Sequence, residues 1–234
     1  MSSSIDLITW AAREAAETPV TGSAYFTALE QEMSREVFTR TQRQFFFAVR
    51  YFSRPMAALT ARMPDSISRR GLVHNLAEEH GADEAHPARL DPELAHDRTF
   101  LHFLGTLGVS KEEMWQIREG PAARAFNNTL MGVCHMEPVP LAFGCMGIIE
   151  HAFAGISARI GATVVRRGWI REEELVHYKL HAEIDERHAA DFFEVVSTDW
   201  KAGAARRVEI EDGVHLGLHV FRRFYDDLYQ EAAA

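Results

Sequence analysis

Apolar positions recur at helical spacing along almost the whole chain, and the alternation typical of half-buried strands is absent. The pattern therefore predicts an all-α protein. At 234 residues the chain is long enough to bury a substantial core, and we expect one domain that spans residues 1–234. Residues 1–22 should form a loosely attached lead-in that ends at Pro19 and Gly22.

Proline, glycine and capping residues set the expected helix boundaries. The second helix should carry the aromatic block Phe45, Phe46 and Phe47 and stop before Pro55. Other helices are predicted over about 24–36, 66–85, 121–134, 141–159 and 208–229, with a long one that starts near Arg171 and two short ones between 96 and 120. The result would be a bundle of about seven principal helices.

Composition narrows the class of protein. The net charge of −9 and the scattered Lys and Arg residues disfavour nucleic acid as a partner. Cys134 and Cys145 lack metal-binding or disulfide spacing, which fits a reducing compartment. The N-terminus has no basic signal-like region, and no segment has the flanks of a membrane span, so we expect a cytoplasmic protein without a membrane partner.

A possible ligand row lies near the end of the chain. His181, Asp185 and His188 are four and three positions apart, so a helix presents them on one face. Imidazole and carboxylate groups together suit a first-row transition metal, and bundles that hold two irons use inward-facing Glu and His side chains. The row therefore predicts a site for iron or a neighbouring metal.

Glu150 is the only acid in the apolar run from Leu141 to Arg159. An ionised carboxylate buried without a cation is unfavourable, so Glu150 should be neutral, exposed or bound to a metal. Phe143 and Met146 lie on the same face at helical offsets, so that face is apolar. We favour coordination.

Glu79 and His86 supply the remaining donors. Seven positions separate them, so a straight helix would place their backbones about 10.5 Å apart. For both to reach metals a few ångströms apart, the segment must bend or unwind near Gly81. We expect this end of the site to be labile.

Three histidines and three acids on three helices could neutralise most of the charge of two divalent ions and leave positions for water and O2. The predicted metal ligands are Glu79, His86, Glu150, His181, Asp185 and His188. The donor set therefore predicts a pair of transition-metal ions, with iron or a near neighbour as the metal. Ferritin-like sites use a Glu-x-x-His spacing that differs from this set.

These motifs resemble the haem-oxygenase-like di-iron oxidases and oxygenases. The resemblance is carried by NLAEEHGADEAHP, by Glu150 in its apolar helix and by HAEIDERHAADFF, and it covers about residues 24–230. Relatives include the coenzyme PQQ synthesis protein C, the TenA-like proteins and the chlamydial protein associating with death domains.

The resemblance implies a helical bundle without haem whose two irons react with O2 to oxidise a small molecule. The expected cofactors are thus two Fe ions that cycle between Fe2+ and Fe3+, with Mn as an alternative at one site and O2 as co-substrate. Family members cleave C–C bonds of amino acids or fatty acids, desaturate them or oxygenate nitrogen, often in specialised biosynthetic pathways. It also implies loose metal binding beside Glu79 and His86. An external electron donor is compatible with such chemistry.

Three alternatives stay open. A self-sacrificing para-aminobenzoate synthase would use a tyrosine such as Tyr25, but the lysine expected about ten positions after the bridging Glu is replaced by Ile160. Thiaminase-like relatives use a cysteine nucleophile, for which Cys134 is the candidate. A non-enzymatic helical binding module would need no metal at all.

The substrate pocket can be placed only by proximity in sequence. Phe45 to Phe47, Phe143 and Met146 are the expected walls. Arg43, Arg159 and Lys179 are candidates to bind a substrate carboxylate. The oligomeric state stays open, and a homodimer is the commonest outcome for soluble oligomers.

Overall fold

The fold was taken from a computed structural model that describes residues 5–82 and 89–234. Its α-helices are α1 (Leu7–Glu17), α2 (Ala24–Glu30), α3 (Arg35–Arg62), α4 (Arg70–Glu79), α5 (His96–Thr106), α6 (Lys111–Gln116), α7 (Pro121–Met136), α8 (Val139–Arg166), α9 (Val176–Val195), α10 (Ser197–Ala202) and α11 (Ala204–Ala233). Short 3-10 turns cover Val20–Gly22, Pro92–Leu94 and Glu172–Glu174.

The all-α prediction is confirmed, since the described residues contain no strand beyond an isolated bridge between Ala82 and Leu90. The helix count differs from the prediction. The described residues form eleven α-helices rather than about seven, because several short pieces such as α2, α6 and α10 separate the long ones.

Helix α8 lies at the centre of the bundle. It packs against α9 on one side and α11 on another, while α3 packs against α7, α5 and α11. By length and composition α8 could also cross a membrane, but 67% of its most apolar window is buried inside the protein. A core helix passes the same test, so this signal follows from the position of α8 between its neighbours.

Small residues allow the central helices to approach closely. A Cβ atom added at Gly147 of α8 would lie 2.9 Å from Cε1 of Phe193 on α9. One added at Gly213 of α11 would lie 2.1 Å from the backbone oxygen of Leu141. Both distances are shorter than the van der Waals contact distance of the two atoms, so glycine is favoured at these positions. The close approach of α8 and α9 also brings their polar residues together.

Several predicted boundaries were wrong. The segment expected to be a loose lead-in forms α1, whose Leu7, Trp10 and Ala11 are buried. Pro55 lies inside α3 instead of ending it, since a 28-residue helix with a long packed face tolerates the loss of one backbone hydrogen bond. The predicted helix over 24–36 is split into α2 and the start of α3.

The predicted break near Gly81 is confirmed. Helix α4 ends at Glu79, earlier than expected, and Gly81 has φ +97°, a conformation that favours glycine. A Cβ atom at Gly81 would also lie 1.9 Å from the carbonyl oxygen of Asp91. The chain therefore turns away from the α4 axis immediately after Glu79.

Candidate metal centre

Helices α8 and α9 bring three predicted ligands together in the buried interior. Donor atoms of Glu150, Asp185 and His188 all lie within 4.8 Å of one another. Nδ1 of His188 is 3.8 Å from Oε2 of Glu150 and 3.6 Å from Oδ1 of Asp185. This cluster has the donor types and the separation that a transition metal ion requires.

Two of the histidines on α9, His181 and His188, are oriented by carboxylates. His181 Nδ1 lies 2.9 Å from Oδ1 of Asp185, and His188 Nε2 lies 2.9 Å from Oε2 of Glu78. Within the described residues, His181 Nε2, His188 Nδ1 and Glu150 Oε1 are buried without a hydrogen-bond partner. Each ring thus has one nitrogen held by a carboxylate and the other available to a metal.

Glu78 is an acid that the sequence analysis did not single out. Its Oε1 also accepts a hydrogen bond of 2.7 Å from Arg187. The adjacent acids at 78 and 79 gave no indication of which faces inward, and the structure shows that both do. Glu78 binds His188, and Glu79 reaches the cavity described below.

Glu79 is the last residue of α4, and its side chain exposes 7% of its surface. Its Oε1 lies 2.9 Å from Nδ1 of His96, the first residue of α5. The His96 ring centroid is 4.4 Å from that of His181. The structure therefore connects Glu79 to the α9 row through a histidine that no sequence spacing indicated. His86 lies outside the described residues.

Burial dominates the acid–base properties of the cluster. It raises the pKa of Glu150 to about 7 and the pKa of Asp185 to about 8, since a carboxylate loses its hydration in the interior. For His188, burial opposes the charged form, but the neighbouring carboxylates of Glu150 and Glu78 raise its pKa to about 11. Without a metal, protons bound to Glu150, Asp185 and His188 therefore partly compensate for the negative charge that a divalent cation would neutralise.

The pKa values of Glu79 and His96 are shifted in opposite directions. Burial opposes ionisation of Glu79, yet the charge and hydrogen bond of His96 hold the pKa of Glu79 below its ordinary value. Burial likewise opposes protonation of His96, and Glu79 raises its pKa nonetheless. Burial, followed by the charge of His96, lowers the pKa of His181 well below its ordinary value. His181 is therefore neutral and can offer a lone pair.

A cavity of about 50 Å³ adjoins these side chains. The described residues that line it are Phe45, Ala48, Val49, Phe52, Glu79, His96, Phe126, Ile149, Glu150, Phe153, His177, His181 and Phe221. The polar residues are concentrated at the ligand cluster, and the remaining lining is aliphatic or aromatic. Such a cavity suits a small, largely apolar ligand held beside a metal.

Part of the predicted wall was wrong. Phe45 lines the cavity, whereas Phe46, Phe47, Phe143 and Met146 do not appear in its described lining. The suggested cationic anchors lie elsewhere. Arg43 pairs with Glu113, Arg159 pairs with Glu30, and Lys179 is exposed.

His177 also lines the cavity and was missed by the sequence analysis. It lies one helical turn before His181, and the two ring centroids are 4.3 Å apart. The offset of four residues was a usable signal, since it extends the α9 row by one turn. Burial, followed by the charge of His181, lowers the pKa of His177 well below its ordinary value.

The donor set fits a metal centre. Five of the six predicted ligands lie in the described residues, and all five occupy this one region. Buried carboxylate and imidazole atoms without partners are the atoms that a cation would satisfy. The assignment of individual ligands stays a prediction, including that of His86.

A helical bundle with buried histidines and carboxylates from facing helices defines the class of non-haem metal-binding bundles. The chain belongs to the family of iron-containing redox enzymes, whose sequence profile matches residues 40–221. The predicted resemblance is therefore confirmed, and iron is the metal that the family indicates.

Curated relatives include biosynthetic enzymes. The chain is 22% identical to a 4-chloro-allylglycine synthase of Streptantibioticus cattleyicolor over 92% of this chain and 78% of that protein. It is 23% identical to a 4-aminobenzoate synthase of Chlamydia muridarum over 72% of this chain and 69% of that protein.

Solved structures share the fold. A CADD-like protein of unknown function from Nostoc punctiforme has a TM-score of 0.75 at 15% identity, covering 97% of this chain and 99% of that one. A TenA homologue from Pseudomonas syringae has a TM-score of 0.71 at 16% identity, covering 95% and 91%. A domain with a haem-oxygenase-like fold from Shewanella denitrificans has a TM-score of 0.74 at 15% identity, covering 98% and 94%.

Proposed function

We propose that the protein is a non-haem di-iron enzyme that uses O2 to oxidise or oxygenate a small molecule. The observation that carries this proposal is the convergence of Glu150, Asp185 and His188 within 4.8 Å beside an apolar cavity. Membership of an iron-containing redox enzyme family supports the choice of metal.

One iron would be held by Glu150, Asp185 and His188, and the second by Glu79, His181 and His86. When bound, the two irons would supply electrons and Lewis acidity for the reaction of O2 with the substrate. Mn could replace Fe at one position. An external donor would return electrons in any reaction that does not take them all from the substrate.

The protein's own residues would orient the ligands and exclude water. Asp185 and Glu78 fix the rings of His181 and His188, so that a nitrogen of each ring is left for a metal. Phe45, Phe153 and the other apolar residues of the lining would hold the substrate and keep solvent away from its reacting bond.

A self-sacrificing para-aminobenzoate synthase is the second candidate function, because this chain has relatives in Chlamydia that are 4-aminobenzoate synthases. Tyr25 is a poor donor for that chemistry in this chain. Its buried hydroxyl accepts a 2.9 Å hydrogen bond from Gln42, and Tyr25 does not belong to the described lining of the cavity. We therefore favour an external substrate.

A thiaminase-like reaction is disfavoured by the state of its cysteine. Burial raises the pKa of Cys134 to about 12, so the thiolate needed for nucleophilic attack is scarce near neutral pH. Cys134 also lies outside the described lining of the cavity.

The remaining partners follow from the same proposal. We expect a small-molecule substrate that is amino-acid-derived or fatty-acid-like, no nucleic acid, and a cytoplasmic location without membrane attachment. C–C cleavage, desaturation and N-oxygenation are the candidate reactions, within a specialised biosynthetic pathway. The homodimer stays a prediction.

Anaerobic titration with Fe(II) followed by stopped-flow mixing with O2 tests the proposal. The expected result is two irons per chain and a transient absorbance after mixing, accompanied by O2 uptake. Asp185→Ala should abolish the transient, whereas Glu183→Ala, an exposed change on the same helix, should leave it intact. Fewer than two irons and no transient, with or without candidate substrates, would end the di-iron proposal.

A further inference from the structure

His177 lines the cavity but is not one of the proposed metal ligands. The residue is fully buried on α9, and its Nε2 has no hydrogen-bond partner in the described part of the chain. A buried polar atom of this kind is unfavourable by itself and needs a bound water, ion or ligand as its partner. The proton on the ring decides which kind of ligand.

The proton can be placed from the contacts of Thr99. Its hydroxyl oxygen lies 3.0 Å from the carbonyl oxygen of His96 and 2.9 Å from Nδ1 of His177. A hydroxyl group has one proton, and a carbonyl oxygen can only accept. Both contacts can be hydrogen bonds at the same time only if the hydroxyl donates to the His96 carbonyl and Nδ1–H of His177 donates to the hydroxyl oxygen. Nε2 then carries a lone pair.

The surroundings restrict the ligand further. Among the described residues that line the cavity, none is a lysine or an arginine, and His96 is already paired with Glu79, so a free carboxylate group meets no uncompensated cationic side chain there. The lining does include the acids Glu79 and Glu150. Phe45, Phe153 and Phe221 provide an apolar surface on which a short hydrocarbon chain can pack.

We propose that His177 is a substrate-binding residue whose Nε2 accepts a hydrogen bond from an amine or hydroxyl group on a short, otherwise apolar substrate. This inference rests on the proposed function, because it takes the cavity beside the metals as the substrate site. Thr99 acts as a positioning residue, since it fixes the ring proton on Nδ1 and thereby leaves Nε2 as an acceptor.

The first test reads the ring proton directly. Nitrogen NMR of the full chain labelled with 15N-histidine, either metal-free or loaded with diamagnetic Zn(II), distinguishes the two neutral tautomers. The signals of His177 are identified by their loss in His177→Asn. We expect a proton on Nδ1 in the wild type and a mixture of tautomers in Thr99→Val. A proton on Nε2 in the wild type overturns the proposal.

The second test measures affinities for n-propylamine, 1-propanol and propanoate. His177→Asn keeps a donor for Thr99 but lacks the distal acceptor, so it should weaken binding of the amine and the alcohol about tenfold. His177→Gln, whose carbonyl group reaches the position of Nε2, should recover part of that loss. Propanoate binding should not depend on His177.

Three outcomes contradict the inference. One is unchanged affinity of His177→Asn for the amine and the alcohol. Another is preferential binding of propanoate by the wild type in a manner that depends on His177. The last is a lower Zn(II) or Fe(II) stoichiometry in folded His177→Asn, which would make His177 a metal ligand instead.

Thr99→Val provides an independent check if the His177 variants do not fold. This variant retains the imidazole and should still weaken amine binding, because the ring proton can then occupy Nε2, which no longer accepts a hydrogen bond. The proposed function can fail separately. If the wild type binds no iron but shows the expected tautomer and amine affinity, the His177 site stands and the di-iron chemistry does not.

Discussion

Glu78 holds the imidazole of His188 from the side opposite the metal cluster, with 2.9 Å between Oε2 of Glu78 and Nε2 of His188. The same carboxylate binds Arg187 through its other oxygen at 2.7 Å. One acid on α4 therefore fixes two consecutive residues of α9. Because Nε2 is occupied, Nδ1 is the nitrogen that His188 can offer to Glu150, Asp185 and a shared cation.

Replacing Glu78 by Gln should weaken metal binding without removing a predicted ligand. The neutral amide is a poorer acceptor for His188 and loses the charge attraction to Arg187, so the ring is held less firmly. Loss of such an orienting carboxylate typically lowers metal affinity by about 10–100-fold. Competition with a chromophoric chelator measures the change.

Glu186→Gln is the matched control for that experiment, because it makes the same chemical change at an exposed position of α9. Its metal affinity should equal that of the wild type. Equal affinities in Glu78→Gln and Glu186→Gln would show that Glu78 has no role in orienting His188.

The stabilisation by metal should depend on pH. Burial raises the pKa of Glu150 to about 7 and the pKa of Asp185 to about 8. Each group holds a proton more tightly in the folded chain than in the unfolded chain, so its contribution to stability is present at low pH and is lost as pH rises through these values. The metal-free protein should therefore become less stable as pH rises from about 4 to about 8 through these two groups.

A bound divalent ion reverses this trend, because it stabilises both carboxylates in their ionised form. The increase in melting temperature on adding Mn(II) should be larger at pH 8.5 than at pH 6. Differential scanning fluorimetry across this range provides the measurement. A shift that is independent of pH, or larger at pH 6, would indicate that Glu150 and Asp185 do not bind the ion.

The separation of α8 and α9 should matter for the site as well as for stability. Gly147→Ala would place a methyl group 2.9 Å from Cε1 of Phe193 and 3.0 Å from Cβ of Phe192. Overpacking of this kind costs about 1–3 kcal/mol, and it should also weaken metal binding because Glu150 moves away from Asp185. Chemical denaturation and chelator competition report the two effects.

Gly155→Ala is the control on the same helix. A Cβ atom at Gly155 would meet none of the described atoms within 4 Å, and its position is exposed. Alanine there should increase the stability by about 0.5–1 kcal/mol through its better helix propensity. If both variants changed stability equally, close packing at Gly147 would not be the cause.

Much of the site could be predicted because its residues follow helical periodicity. His181, Asp185 and His188 were found from their offsets on one helix, and Glu150 from its isolation in an apolar run. The break after Glu79 followed from the reach of a straight helix and from Gly81. The structure places these residues in one region, as that reasoning required.

Other residues could not be predicted because they depend on how separate helices pack. His96 begins a different helix from Glu79, and Thr99 meets His177 only when α5 lies against α9. The prediction that a helix stops before Pro55 was wrong for a related reason, since tertiary packing along α3 outweighs the local preference of proline. His177, by contrast, could have been predicted from helical periodicity, because it lies four residues before His181.

Anomalous diffraction at the iron edge, from crystals loaded anaerobically with Fe(II), would locate the metals in the folded chain. We expect two iron peaks per chain, one within coordination distance of Glu150, Asp185 and His188, and the other beside Glu79 and His181. Iron peaks elsewhere, or none at Glu150, Asp185 and His188, would contradict the di-iron proposal.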